Sequence, residues 1–213
     1  TTQVARLLAA LERAGITSRS FREPGGTPLG DAIRALLLTP GGEVAPRAEA
    51  LLFMAARAQL VERVRALLAT GVTVVLDRFF LSTYAYQIVG RGLPAELVRA
   101  ANGLATAGLV PDLTLLLACD AATARARMVA RGALDRMERE DASFHERVGA
   151  AFLAAADPAW QREHPEVGPV VRVDADGSPD AVAGRVREAI ATRWPGTFGA
   201  LRESDLHGVA AGG

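Results

Sequence analysis

Four short runs of strand character, set between stretches of helical period, constrain this chain more than any other feature. "ITSRSFR", "VTVVL", "LTLLLA" and "VVRVDA" each read as a strand, and "VTVVL" as a buried parallel one. Helical spacing fills the intervals. Val4, Leu7, Leu8 and Leu11 recur before Gly15, "PLGDAIRALLL" resumes after "REPGG", and residues 46–70 carry a broad apolar stripe. "STYAYQIV", "AELVRAANGLA", a segment from Ala121, "FHERVGAAFLAAADPAW" and "PDAVAGRVREAIATRW" continue the pattern. Strand–helix alternation of this kind predicts an α/β domain of three layers, a mostly parallel sheet with helices on both faces. The domain spans residues 1–194. After Trp194 no period is sustained, so residues 195–213 read as a flexible tail.

At 213 residues, with half of them hydrophobic, the chain has the length of one such domain. Its 24 basic residues balance 24 acidic ones, and every basic residue is an arginine. That balance argues against nucleic acid as a partner. Arginine without lysine follows from base composition, yet it also supplies planar forks for phosphate. Cys119 is the lone cysteine, so no internal disulfide forms, and its place in "LTLLLAC" predicts a buried thiol. No apolar run reaches the roughly 18 residues of a membrane span, and the start lacks a signal-peptide pattern. A soluble protein of the reducing cytoplasm is expected.

In open parallel sheets, ligands collect at the carboxyl ends of strands. Three polar segments follow apolar runs here. In "SFREPGGTPLG", Arg22 and Glu23 leave a strand, and Gly25 and Gly26 permit close backbone approach, although a plain turn has the same composition. In "VVLDRFFLSTYAYQ", Asp77 and Arg78 end a strand before a helix with Ser82, Thr83, Tyr86 and Gln87. Asp suits hydrated Mg2+ and Arg suits phosphate, while a local ion pair capping the helix is the structural alternative. "ARARMVARGALDRMERED" crowds Arg125, Arg127, Arg131, Arg136 and Arg139 with four acids, a pattern that a solvated helix face also produces.

Taken together, "REPGGTPLG", "DRFFLSTYAYQ", "PDLTLLL" and "RGALDRMERE" followed by "FHERV" resemble the signature segments of thymidylate kinases, in the family's order. The resemblance runs to about Trp194. It implies a P-loop kinase fold with a short mobile lid at about 131–141, and transfer of the γ-phosphoryl of ATP to dTMP with Mg2+. A homodimer is also implied. Family members carry a glycine-rich loop ending in Gly-Lys-Thr-Thr or Gly-Lys-Ser-Thr, often followed by Gln, and Thr1, Thr2 and Gln3 match that end. The expectation is therefore a chain beginning just after the P-loop lysine, without the first strand. The polypeptide from Thr1 to Gly213 is then expected neither to fold stably nor to turn over ATP.

The resemblance also assigns roles. Arg78 binds the dTMP phosphate, Asp77 sits by the magnesium shell, and the Thr1 hydroxyl ligates Mg2+, with Thr2 beside it at the end of the loop that holds ATP. Arg22 and Glu23 line the acceptor side. Phe53 stacks on thymine and Arg57, four residues on, reaches a base carbonyl. Ser82 lies in the same segment as Thr83 and Gln87, which address the pyrimidine edge, and Tyr86 crowds the sugar 2′ position. Arg131 and Arg136 stabilise charge from the lid, as in the bacterial subgroup, and Arg127 stacks on adenine. Phe53 and Tyr86 also suit a helix core, and Arg127 a salt bridge. Two other functions stay open: a P-loop kinase for another small acceptor, and an inactive nucleotide-binding or dimerisation module. The "YAYQ" helix favours thymidylate.

Overall fold

The computed structural model describes residues 2–120, 123, 124, 126, 127, 132 and 135–202. Helix α1 (Thr2–Arg13) buries Leu7, Ala10 and Leu11 at helical spacing and turns at Gly15, whose φ of 71° needs glycine. Strand β1 (Ser18–Arg22) follows. Thr27 caps helix α2 (Pro28–Leu38), its side chain accepting from the Gly30 N–H at 3.0 Å, with Pro28 in the first turn. The long helix α3 (Pro46–Leu68) leads into strand β2 (Thr73–Asp77). Helix α4 (Phe80–Thr83) widens into a π-helical turn, Tyr84–Gly90, and helix α5 (Ala95–Thr106) precedes strand β3 (Thr114–Ala118). Beyond it come helix α6 (Ala142–Ala154), helix α7 (Pro158–Glu163), strand β4 (Val170–Asp174) and helix α8 (Pro179–Arg193). Helix α9 (Pro195–Phe198) and a 3-10 turn (Gly199–Arg202) complete the described chain.

Among the described residues all the pairing is parallel. β1 pairs with β2, Ser18 opposite Thr73, and β3 pairs with β4, Thr114 opposite Val170. The expected sheet is thus present as two parallel pairs, with no ladder between them among the described residues. Alternation along β3 and β4 sends side chains to two clusters. Leu115 and Val173 pack with Leu7 and Leu11 of α1 and with Val186 and Ile190 of α8. Leu116 and Val170 face Met54 of α3, Phe80 and Leu81 of α4, and Val98 and Ala105 of α5.

Several expectations are refined. "STYAYQIV" is not one α-helix, because from Tyr84 onward it adopts the wider π turn. "FHERVGAAFLAAADPAW" is two helices: Asp157 caps a new one, accepting from the Ala159 and Trp160 N–H groups at 2.6 and 3.2 Å. "VTVVL" is half-buried rather than buried, since among the described residues only β1 pairs with it. Cys119 is a free, half-buried thiol, because it lies just past the end of β3. Residues 195–202 are docked: Leu201 is fully buried beside α8, and Arg202 pairs with Glu188 at 2.8 Å. Residues 203–213 lie outside the described chain, as does most of the lid segment before Asp135.

Candidate functional site

The carboxyl ends of β1 and β2 open onto one cavity. It is lined by Arg22, Glu23 and Pro24 after β1, by Arg78, Phe79, Ser82, Thr83, Tyr86 and Gln87 after β2, and by Phe53 and Arg57 of α3. Arg34 and Leu38 of α2, Asp135, Met137 and Glu138, and His145 of α6 close the remaining walls. Residues far apart in sequence meet here because both strands run the same way. The Glu23 N–H donates to the Asp77 carbonyl at 3.0 Å, so the two strand ends leave the sheet side by side.

The wall of the cavity carries an arginine cluster, Arg22, Arg34 and Arg78. Burial, and then the charges of Arg22 and Arg78, push the Arg34 guanidinium below its ordinary value, while Asp135 and Asp77 pull it back up. Three guanidinium groups that repel one another make a site an anion would stabilise. Arg34 Nη1 is anchored to the Pro24 carbonyl at 3.0 Å. Arg78 is exposed, its guanidinium 5.4 Å from the Tyr86 ring centroid and its Nη1 3.5 Å from Ser82 Oγ. Its backbone is left-handed at φ 73°, a conformation that costs a non-glycine residue about 1–3 kcal/mol and is concentrated at functional sites.

The cavity also borders a buried polar network. Arg57 and Glu23 are almost wholly inaccessible, at 1% and 3% exposure, so their charges require each other. Arg57 Nε lies 3.0 Å and Nη2 2.5 Å from Glu23 Oε2. Arg57 also donates to Asn102 Oδ1 at 3.1 Å and Thr83 Oγ1 at 3.2 Å, and stands 4.9 Å from the Phe79 ring centroid. Burial pushes the Glu23 carboxyl up against the pull of Arg57. Most donors of Arg57 are therefore committed to protein, and it holds Thr83 and Glu23 in place. Phe53 lines the cavity and packs on Ile33, Leu37 and Ala56. Tyr86 is held by Phe144 and Phe152 at centroid distances of 6.1 and 6.0 Å.

Other predicted residues lie elsewhere. Arg136 does not line the cavity: its Nε donates to the Leu37 carbonyl at 2.8 Å and its Nη2 to Glu49 at 2.5 Å. Thr2 begins α1 and is exposed, and Asp77 ends β2, half-buried. Arg127 donates to the Gly177 carbonyl at 3.3 Å, beside a second hollow lined by Cys119, Asp120, Arg172, Asp174 and Asp176 at the ends of β3 and β4. Thr1 and Arg131 fall outside the described residues. Sequence reasoning missed Arg34, Asn102 and His145. Arg34 had a signal, flanking the apolar stripe of Ile33 and Leu37. His145, whose Nε2 is buried without a hydrogen-bond partner, stood inside the segment "FHERV" without being singled out there.

Among the described residues, no group of three or more His, Cys, Asp or Glu is placed to hold a metal. No described helix is long and apolar enough to cross a membrane. The family model for thymidylate kinase matches residues 1–164. The chain is 47% identical over 198 residues to the thymidylate kinase of Synechococcus sp. (strain JA-3-3Ab), covering 91% of this chain and 90% of that one. It is 47% identical over 163 residues to that of Deinococcus radiodurans, covering 76% and 79%. With the thymidylate kinase of Solidesulfovibrio magneticus the identity is 45% over 193 residues, covering 85% and 88%. The matched span takes in both strands and every wall of the cavity. The chain belongs to the thymidylate kinase family.

Proposed function

We propose that the protein transfers the γ-phosphoryl group of ATP to dTMP, giving dTDP and ADP, and that the cavity between β1 and β2 holds the dTMP. One observation carries this reading. All nine residues assigned to the acceptor by resemblance, namely Arg22, Glu23, Phe53, Arg57, Arg78, Ser82, Thr83, Tyr86 and Gln87, line a single cavity whose wall combines an arginine cluster with polar and aromatic side chains. A nucleoside monophosphate, anionic at its phosphate and aromatic at its base, is complementary to that lining.

Phosphoryl transfer asks the protein mainly for alignment and for neutralisation of spreading charge. Arg78, Arg22 and Arg34 fix the acceptor phosphate. Phe53 stacks on the base, Thr83 and Gln87 read its edge, and Tyr86, held by its aromatic neighbours, crowds the sugar 2′ position and favours deoxyribose. Arg131 neutralises the transferring group from a lid at about 131–141, which shields it from water. Asp135, Met137 and Glu138 of that segment line the acceptor cavity, and the Arg136 N–H reaches the Leu38 carbonyl at 3.3 Å. Arg136, by contrast, is tied to Glu49, so its contribution here is to dock the lid. ATP lies toward β3 and β4, with Thr1 and Thr2 at its phosphates and Arg127 at its adenine.

Magnesium binds proteins through one or two carboxylates and takes its remaining ligands from phosphate and water. A single Asp77 at a strand end fits that donor set. Asp77 and the Thr1 hydroxyl would hold Mg2+, which supplies charge neutralisation at the phosphates. The opposed clusters on β3 and β4 support a three-layer arrangement. Exposed Leu51 on α3 and Leu97 and Leu104 on α5 support a homodimer, and we place the enzyme in the cytoplasm with its nucleotide substrates.

The test is ADP release with dTMP, dUMP, dCMP and UMP as acceptors, with dTDP identified as product, repeated for Arg78→Ala. Preferred use of dTMP and loss of at least about a hundredfold in kcat/KM in the variant are expected, since charge-assisted contacts are worth roughly 1.5–3 kcal/mol each. No acceptor-dependent turnover, or a variant as active as the parent, would overturn the reading.

A further inference from the structure

Glu49 is wholly buried on α3, yet the reaction assigns it nothing. Its two oxygens have separate partners. Oε1 accepts from Gln87 Nε2 at 2.8 Å and from Arg91 Nε at 3.2 Å. Oε2 accepts from Arg91 Nη2 at 3.0 Å and from Arg136 Nη2 at 2.5 Å. Burial pushes this carboxyl up, but the hydrogen bonds of Arg91, Gln87 and Arg136 outweigh it and hold it below the ordinary value. It is therefore a carboxylate, which only accepts. Gln87 must turn its NH2 toward it, and the amide has one orientation.

Resting on the reading of the cavity as a dTMP site, we propose that Glu49 is a positioning residue for base specificity, fixing through Gln87 the order in which donor and acceptor meet the pyrimidine edge. Thymine offers N3–H beside the O4 acceptor, whereas cytosine offers the N3 acceptor beside an N4 amino donor. An amide locked in one orientation matches one pattern and opposes the other. Such opposition is a stronger discriminator than lost contact, because it leaves buried polar groups unpaired.

Glu49→Gln predicts a direction. The new side chain keeps one oxygen and gains one NH2. Two arginine donors converge on Oε2 and only the longer Arg91 Nε contact reaches Oε1, so the oxygen stays on the Oε2 side and the NH2 faces Gln87 at the expense of that one contact. Gln87 then flips to present its own oxygen, and the pattern shown to the base reverses.

The experiment measures kcat/KM for dTMP and dCMP in the wild type, Glu49→Gln, Gln87→Leu and the double variant, with a thermal unfolding curve for each. The dTMP/dCMP ratio is expected to fall about tenfold in Glu49→Gln, the worth of one hydrogen bond. In the Gln87→Leu background the same change is expected to leave the ratio where Gln87→Leu put it. Unchanged selectivity in a folded Glu49→Gln, or an equal drop in both backgrounds, overturns the proposal. So does a fall in kcat common to both acceptors with the ratio intact, which reports lid docking alone. A wild type that does not use dTMP refutes the underlying reading instead, so the two failures are distinguishable.

Discussion

Arg78 concentrates the conflict between stability and function in one residue. Its side chain is exposed and its contacts are loose, but its backbone is held left-handed at φ 73° immediately after β2. Glycine adopts that conformation without penalty. Arg78→Gly should therefore raise stability by about 1 kcal/mol in urea unfolding while removing most dTMP phosphorylation. A variant that loses both activity and stability would show that the guanidinium holds the loop together. The sequence announced Arg78, because an arginine directly after a strand in "VVLDRFF" is conspicuous. It did not announce Glu49. At the sequence level that carboxylate is one more polar residue near the start of a long helix, yet it shares a face with Arg57, eight residues on, and both are buried. A charge in register with an apolar stripe is the signal, and only partners from distant segments, here Gln87, Arg91 and Arg136, make it intelligible.

At the scale of elements, strands and helices with strong periodicity or capping residues were legible: β1 to β4, α1 to α3, α5 and α8. The segment after α4 was not. Its apolar spacing suits an α-helix, whereas Tyr84–Gly90 is a π turn packed on α6, a contact that its own residues do not show. Gly90 there lies against α6, where an added Cβ would come within 2.7 Å of Phe144 Cε2 and 3.0 Å of Val148 Cγ2. Arg147 Nη2 reaches the Gly90 carbonyl at 3.2 Å. Both Phe144 and Val148 are buried, so neither yields freely. Gly90→Ala is expected to cost about 1–3 kcal/mol by overpacking. By displacing α6, which carries His145, from the wall of the cavity, it should also raise the KM for dTMP more than it lowers kcat. An unchanged melting temperature and KM would mean that α6 adjusts without loss.

For the whole molecule, the division of labour among buried acids sets the response to pH. The folded-state value of Glu49 lies below the ordinary one, so its stabilisation is complete above about pH 4.3 and is lost as pH falls through the folded value. Asp141 and Glu188 are also lowered by their hydrogen bonds, but both are exposed and screened by solvent, so the acid limb rests mainly on Glu49. Glu23 acts in the other direction. Burial raises its value, so the folded state binds more protons than the unfolded chain, and stability falls as pH rises from the ordinary value through the raised one. The two effects bound the range of greatest stability, Glu49 on its acid side and Glu23 on its alkaline side. Urea unfolding from about pH 3 to pH 8 should show it, each proton difference contributing a slope of about 1.4 kcal/mol per pH unit. Glu49→Gln should flatten the acid limb without abolishing it. Glu23→Gln should remove the decline toward neutral pH, although it lowers stability throughout by leaving the Arg57 charge buried without its partner. Slopes rather than absolute stabilities carry the comparison. If Glu49→Gln keeps the full acid slope of the wild type, the three-donor cage around that carboxylate does not survive in solution. The geometric basis for an oriented Gln87 then fails with it.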